Sequence, residues 1–215
     1  MGIETPEGYR ALSESSVASY LEGLPAIRAR LGGTSGQWRV REVGDGNLNL
    51  VFIVEGPAVQ ACVKQALPYV RLVGESWPLK LIRAWFEHEA SVIQARHAQA
   101  QMPEIWHYDD KLYLIVMECL TPHVIMRRGV VYPNFAEQIT DYLARTLYLT
   151  SDLAMKAEDK KAMIAAFCGN TELCKITEDL IFTDPYMIHE RNRWTSPELD
   201  DAAAAIRSDG PLKAA

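Results

Sequence analysis

The sequence has few cysteines, and the four that it has are not grouped. Cys62, Cys119, Cys168 and Cys174 form no Cys-x-x-Cys pair, and the five histidines show no metal-ligand spacing. Neither a Gly-x-Ser-x-Gly elbow nor a Walker P-loop is present. We therefore expect free thiols and no metal site in this chain. The sequence signals of an α/β-hydrolase serine nucleophile and of a P-loop phosphate site are both missing.

Long apolar runs are also missing. No stretch approaches about 18 consecutive apolar residues, which a membrane-spanning helix requires. The first residues, MGIETPEGYR, lack the basic segment and apolar run of a secretory signal. These absences, together with the free thiols, predict a cytoplasmic protein with no membrane partner.

An excess of positive charge is the third absence. The chain of 215 residues has 22 basic and 28 acidic residues, a formal net charge of −6, and the excess is shared evenly by its two halves. Binding of nucleic acid or an anionic membrane through bulk charge is therefore disfavoured. An anionic ligand would need a local cationic group. The 48% hydrophobic composition is ordinary for a globular protein.

Hydrophobic periodicity predicts one helix, three strands, a helix, two strands and then helices only. The turns at 44–47 and 56–57 are too short for a crossover helix, so the first three strands form an antiparallel meander. Pro25 is expected to kink or shorten the first helix. The predicted helices are 13–33, 79–100, 135–149, 157–167, 171–181 and 197–207; the strands are 38–43, 48–55, 59–65, 105–108 and 112–118; 68–78 is a loop.

This order predicts an α+β fold. A five-stranded antiparallel sheet with one inserted helix, followed by helices, is typical of a bilobed, protein-kinase-like fold. Residues 1–120 would form the small nucleotide-binding lobe, and residues 121–215 the first part of a helical large lobe. Another α+β arrangement remains open at this point.

The first candidate site is the segment from Gly44 through Gly46 to Asn49, which joins two predicted strands. One interpretation is an ordinary hairpin turn, because Asp-Gly and Gly-Asn are common turn sequences. The other is a phosphate-covering loop, in which small residues let backbone N–H groups approach phosphate oxygens.

Lys64 ends the third predicted strand, one strand after this loop, within Ala-Cys-Val-Lys. Protein-kinase-like folds place a phosphate-pairing lysine there, in a similar context. Either Glu87 or Glu89 on the next helix would pair with Lys64, although Glu87 also has the spacing to pair with Arg83. The last strand closes where the lobes would meet, and backbone groups typically hold an adenine ring at such a junction. The residues at this hinge are Glu118, Cys119 and Leu120.

Four stretches in chain order resemble the methylthioribose kinases, a family of aminoglycoside-phosphotransferase-like kinases. They are residues 44–52, 63–71, 73–79, and 172–180 continuing to 182–186 and 189–192. The resemblance implies ATP-dependent phosphorylation of 5-methylthioribose at its 1-hydroxyl, in methionine salvage. It implies ATP as co-substrate, Mg²⁺ as cofactor and a possible homodimer.

Site roles follow from the same resemblance. It implies that Asn49 contacts the nucleotide phosphates, that Lys64 pairs with them, and that residues 118–120 form the adenine hinge. The loop around Trp77 would have a lid-like role. The sequence departs from the family at Cys119, where Asp is more usual, and at Ile82 and Trp85, where Asp and Arg are expected.

The family's catalytic loop, His-Gly-Asp-x-His-x-Gly-Ser, and its metal-binding Asp-x-Glu do not occur before Ala215. The resemblance places both beyond this residue. No catalytic base or metal ligand is therefore expected within the chain, which would be nearly inactive by itself. The alternative is a non-catalytic nucleotide-binding or interaction module derived from such a kinase.

Overall fold

The computed structural model describes residues 5–44, 46–123 and 136–214. The chain divides into two compact units, Met1–Phe167 and Cys168–Ala215. The predicted lobe boundary after residue 120 does not coincide with this division and stays a prediction. In the described part of the chain, no helix is long and apolar enough to cross a membrane.

The first unit contains a five-stranded antiparallel sheet with helices, as the sequence predicts. Its strand order is β1–β2–β3–β7–β6, and a two-stranded ribbon, β4–β5, follows β3 in the chain. The elements are α1 (Glu14–Glu22), α2 (Pro25–Leu31), β1 (Arg39–Glu42), β2 (Asn49–Glu55), β3 (Gln60–Ala66), β4 (Tyr69–Val70), β5 (Gly74–Pro78), α3 (Arg83–His97), β6 (Ile105–Asp109), β7 (Leu114–Glu118), α4 (Ala136–Leu149) and α5 (Ala157–Phe167).

The first predicted helix is two helices. Ser13 caps α1: its Oγ accepts from the N–H of Ser16, and Ser16 Oγ accepts from the N–H of Ser13 in return. Pro25 is the first residue of α2, where its missing N–H costs nothing. The proline thus begins a second helix instead of bending one long helix.

The main hydrophobic core lies between the α1–α2 pair and one face of the sheet. Alternate residues of the strands point into it, because successive side chains of a strand point to opposite faces. Its members with no exposed surface are Val17, Leu21, Leu31, Phe52, Val54, Ala61, Val63, Leu114 and Val116. The other face of the sheet packs against the start of α3 through Ala66, Leu81 and Ala84.

Gln65 is a polar side chain with no exposed surface in this core. Its Oε1 accepts from the N–H of Leu12 at 2.8 Å, and its Nε2 donates to the carbonyls of Arg10 and Leu112 at 2.8 and 3.1 Å. Because the amide is fully hydrogen-bonded, its burial is tolerated. It ties the segment before α1 to the sheet.

Two boundaries around residue 80 differ from the prediction. The segment 68–78 is not a loop but the β4–β5 ribbon, with Gly74 at a φ of +72° in its turn. Pro78 is tolerated at the end of β5, because no hydrogen bond between the two strands requires its missing N–H there. The next helix begins at Arg83 instead of residue 79 and ends at His97, followed by a short 3₁₀ turn.

The second unit consists of short helices: α6 (Thr171–Glu178), α7 (Asp200–Ser208) and α8 (Gly210–Ala214). The helix predicted to end at residue 181 stops being α-helical at Glu178 and continues as a π-helical turn. The helix predicted from residue 197 opens with a 3₁₀ turn. Asp184 is buried in this unit and pairs with Arg191 at 2.8 Å, which gives this carboxylate a structural role.

Candidate functional site

Lys64 lies on β3, the central strand of the five-stranded sheet. Its neighbours Val63 and Gln65 are fully buried on the α1–α2 side, so Lys64 points to the opposite face, which we call the α3 face. There its ammonium forms an ion pair with the carboxylate of Glu87 on α3. The other candidate is Glu89, whose Oε1 lies 3.0 Å from Nδ1 of its neighbour His88. Of the two candidates, Glu87 is therefore the carboxylate that pairs with Lys64.

The immediate surroundings of Lys64 are apolar. Val51 and Ile115 lie opposite it on the two neighbouring strands, and Cys62 precedes it on the same face. Burial, and to a smaller extent the nearby Cys119, raises the pKa of the Cys62 thiol to about 11. Cys62 is thus uncharged at neutral pH. An ammonium in such surroundings attracts an anion more strongly than one in open water.

The glycine-containing segment closes the hairpin between β1 and β2. Val43 donates its N–H to the carbonyl of Val51 at 2.7 Å, which fixes the base of the loop. At Gly46 a Cβ atom would lie 2.8 Å from the carbonyl oxygen of Asn49, so the backbone approaches itself too closely for any side chain. Gly44 has open space around it. Asp45 lies outside the described residues.

Asn49 is the first residue of β2 and shares the α3 face with Lys64. Ala66 lies opposite Asn49, and Val51, two residues later, lies opposite Lys64. The two side chains are therefore diagonal neighbours on one face of an antiparallel pair. Together they place an amide and an ammonium next to a loop whose backbone leaves no room for a side chain at Gly46. Such a set can bind the phosphates of a nucleotide.

The predicted hinge begins at Glu118, the last residue of β7, and continues beyond this strand with Cys119 and Leu120. The N–H of Glu118 donates to the carbonyl of Glu104 at 2.9 Å, and that of Cys119 donates to the carbonyl of Gln60 at 3.4 Å. Leu120 is 38% exposed. Burial raises the pKa of the Cys119 thiol, so this residue is also neutral. The structure holds this backbone in place, and the adenine role of residues 118–120 stays a prediction.

Two features of the site were missed by reasoning from the sequence. Arg83 donates to the carbonyl of Leu48 and lies 3.4 Å from Oδ1 of Asn49. Arg71, in the turn of the β4–β5 ribbon, pairs with Glu42 at 2.7 Å and donates its N–H to the carbonyl of Asn47. Neither contact has a local sequence signal, because each joins residues that are distant in the chain.

Trp77 is half-buried on β5, in the ribbon that Arg71 fastens to the loop. Its lid-like role stays a prediction. Arg127 and Arg128, a possible anion contact, lie outside the described residues. Among the residues that the structure describes, no group of three or more His, Cys, Asp or Glu side chains is arranged to hold a metal ion.

Curated relatives match almost the whole chain. It is 50% identical over 209 residues to a methylthioribose kinase of Escherichia coli O45:K1, a match that covers 95% of the chain and 50% of the relative. It is 45% identical over 214 residues to methylthioribose kinase 1 of Oryza sativa subsp. japonica, with 96% and 49% covered. The Cronobacter sakazakii methylthioribose kinase is 46% identical over 213 residues, with 96% and 52% covered.

No protein-family model matches the chain. The chain spans about half the length of the curated relatives that it matches. Identity of 45–50% along nearly all of its residues nevertheless extends far beyond any single motif. By its sequence the chain belongs to the methylthioribose kinase family.

Proposed function

We propose that this chain binds ATP on the α3 face of its sheet and serves the phosphorylation of 5-methylthioribose at the 1-hydroxyl, in methionine salvage. The observation that carries the nucleotide part is the Lys64–Glu87 ion pair, one strand after the glycine-containing loop. The sugar substrate rests on the name shared by the relatives.

Each side chain has a distinct task in the nucleotide site. An ammonium has three N–H donors, so Lys64 can hold Glu87 and still donate to phosphate oxygens. The segment from Gly44 to Gly46 covers the phosphates with backbone N–H groups, and Asn49 donates its amide to them. The adenine ring lies against the apolar α3 face beside Cys62, held by the backbone of residues 118–120.

Mg²⁺ accompanies ATP in phosphoryl transfer, where it neutralises charge on the transferred group. The proposal assigns no metal ligand to the described residues. It likewise assigns no catalytic base to them. A homodimer and a cytoplasmic location complete the proposal, the former from the family resemblance and the latter from four cysteines that are all free thiols.

ATP titration of the chain by calorimetry tests the nucleotide site. Lys64→Ala should weaken ATP binding by about tenfold or more, because a charge-assisted contact to phosphate is lost, and adenosine binding should persist. Lys111→Ala, in the exposed turn between β6 and β7, is the matched control and should bind as the unaltered chain does. Equal ATP affinity of the two variants would contradict the proposal.

The substrate is tested by phosphate transfer in the protein that contains this chain. With ATP present, 5-methylthioribose should be phosphorylated and the 1-O-methyl glycoside of the same sugar should not, since its 1-oxygen carries no proton. Transfer to both would place the reacting hydroxyl elsewhere on the sugar.

A further inference from the structure

Arg83 is the single basic side chain that is buried among the described residues, with 5% of its surface exposed. Burying a guanidinium is costly unless its N–H groups are hydrogen-bonded. Arg83 donates to the carbonyl of Lys80 at 3.0 Å and to the carbonyl of Leu48, and the same Nη2 lies 3.4 Å from Oδ1 of Asn49. It therefore joins the start of α3 to the start of β2, where the glycine-containing loop ends.

The contact with Asn49 has a directional consequence. A guanidinium carries only donors, so the amide can face it only through its oxygen. With Oδ1 turned to Arg83, the two N–H donors of Asn49 point away from it. The side chain is half-buried on the α3 face, beside Lys64. Arg83 thus turns the donor end of this amide toward the place where an anion would bind.

The same helix positions both proposed phosphate contacts. Arg83 and Glu87 are four residues apart on α3, hence on one side of it. The first holds Asn49 and the second holds Lys64. A nucleotide therefore meets both donors in place without first having to order them, which favours binding.

We propose that Arg83 is a positioning residue, which orients the Asn49 amide so that its N–H donors bind the nucleotide phosphates. The inference rests on the proposed function, because it assigns a part of the same site. If Arg83 had a purely structural role, its loss would weaken the binding of every ligand and would also lower the stability of the fold.

The test is a double-mutant cycle on the full chain, with ATP and adenosine as probes. Arg83→Met keeps the apolar stem and removes the donors. It should weaken ATP binding by about tenfold and change adenosine binding by less than about twofold. Asn49→Ala should weaken ATP binding similarly. The double variant should bind ATP no more weakly than Asn49→Ala alone, because there is then no amide to orient.

Two further variants test the role of the amide donors and control for the loss of an arginine on α3. Asn49→Asp still accepts from Arg83 but has no donors, so it should lose ATP affinity with an unchanged melting temperature. Arg96→Met, on an exposed position of the same helix, should behave as the unaltered chain. If Arg83→Met does not fold, Arg83→Lys enters the same cycle; it keeps the charge but not the fork of donors.

The outcomes separate the two proposals. Additive losses at Arg83 and Asn49, or equal losses for ATP and adenosine, would overturn the positioning role while leaving the nucleotide site intact. If the unaltered chain binds no ATP, or Lys64→Ala binds it equally well, the proposed function fails and the positioning role fails with it. Non-additive, ATP-selective losses support both.

Discussion

The hydroxyl of Tyr20 donates a hydrogen bond of 2.7 Å to Oδ2 of Asp109, which joins α1 to the last residue of β6. The other carboxylate oxygen accepts from the N–H groups of Lys111 and Leu112, both at 2.8 Å. Burial raises the pKa of Asp109, but the hydrogen bonds from Leu112, Tyr20 and Lys111 outweigh it and hold this pKa below its ordinary value.

Tyr20→Phe should therefore change the pH dependence of stability. A carboxylate whose pKa is lower in the folded state stabilises the fold above its unfolded pKa, near 4, and this contribution is lost as the pH falls. Without the Tyr20 hydroxyl, the free energy of unfolding should fall by about 1 to 2 kcal/mol at neutral pH and decline less steeply on acidification.

Urea unfolding at a series of pH values measures both effects. Tyr148→Phe, at an exposed position of α4, is the matched control and should follow the unaltered chain at every pH. Parallel curves for Tyr20→Phe and the unaltered chain would show that Asp109 does not depend on the Tyr20 hydroxyl.

Glu87→Gln tests the partner of Lys64. The pair is partly exposed, so its removal should change the free energy of unfolding by less than about 1 kcal/mol. ATP affinity should nevertheless fall several-fold, because an amide holds the ammonium less firmly. Glu89→Gln, two residues further along the same helix, pairs with His88 and should leave ATP binding unchanged. Indistinguishable calorimetric titrations of the two variants would count against the role of Glu87.

The five-stranded sheet could be predicted because its signals are local. Strand-like runs over 48–55 and 59–65, separated by a turn too short for a crossover helix, predict an antiparallel pair, and the structure has β2 and β3 there. The choice between Glu87 and Glu89 could not be made in this way. It depends on how α3 is rotated against the sheet, and this rotation is visible only in the packed structure, where Ala84 faces Ala66.

The missed features share one physical cause. The contact of Arg83 with Asn49 joins residues 34 apart in sequence, and its position depends on where α3 begins. Because residues 79–82 look helical by composition, the sequence places that start a turn too early. The β4–β5 ribbon was missed for a related reason: Arg71 and Glu42, distant in sequence, hold it in place.

Gly46→Ala tests whether the loop itself serves the site. The added methyl group would lie 2.8 Å from the carbonyl oxygen of Asn49, a backbone atom that can move only with β2. The loop must therefore shift, and ATP binding should weaken by about tenfold while adenosine binding is kept. Gly36→Ala, in a 3₁₀ turn with nothing within 4 Å of the new atom, is the control for a glycine replacement. Calorimetry with equal ATP affinities for both variants would show that the loop takes no part.

The reactivity of the four cysteine thiols can locate the nucleotide site. Cys168 and Cys174 are exposed, whereas Cys62 and Cys119 are half-buried on or beside the α3 face. Burial raises the pKa of both Cys62 and Cys119, the former to about 11. Since the thiolate is the reactive form, alkylation of Cys62 should be slow at neutral pH and accelerate as the pH approaches this value.

ATP should slow that alkylation selectively. A nucleotide on the α3 face would cover Cys62 and the backbone at Cys119. With iodoacetamide at about pH 9, where more of the Cys62 thiol is ionised than at neutral pH, peptide mass spectrometry follows each cysteine separately. Cys168 serves as the internal control for reagent and pH.

Lys64→Ala should abolish the protection by ATP at concentrations that protect the unaltered chain. Adenosine should still protect Cys62 in that variant, because the ring and not the phosphates covers the thiol. Equal slowing at all four cysteines, or none at Cys62 when ATP is bound, would place the nucleotide on another surface.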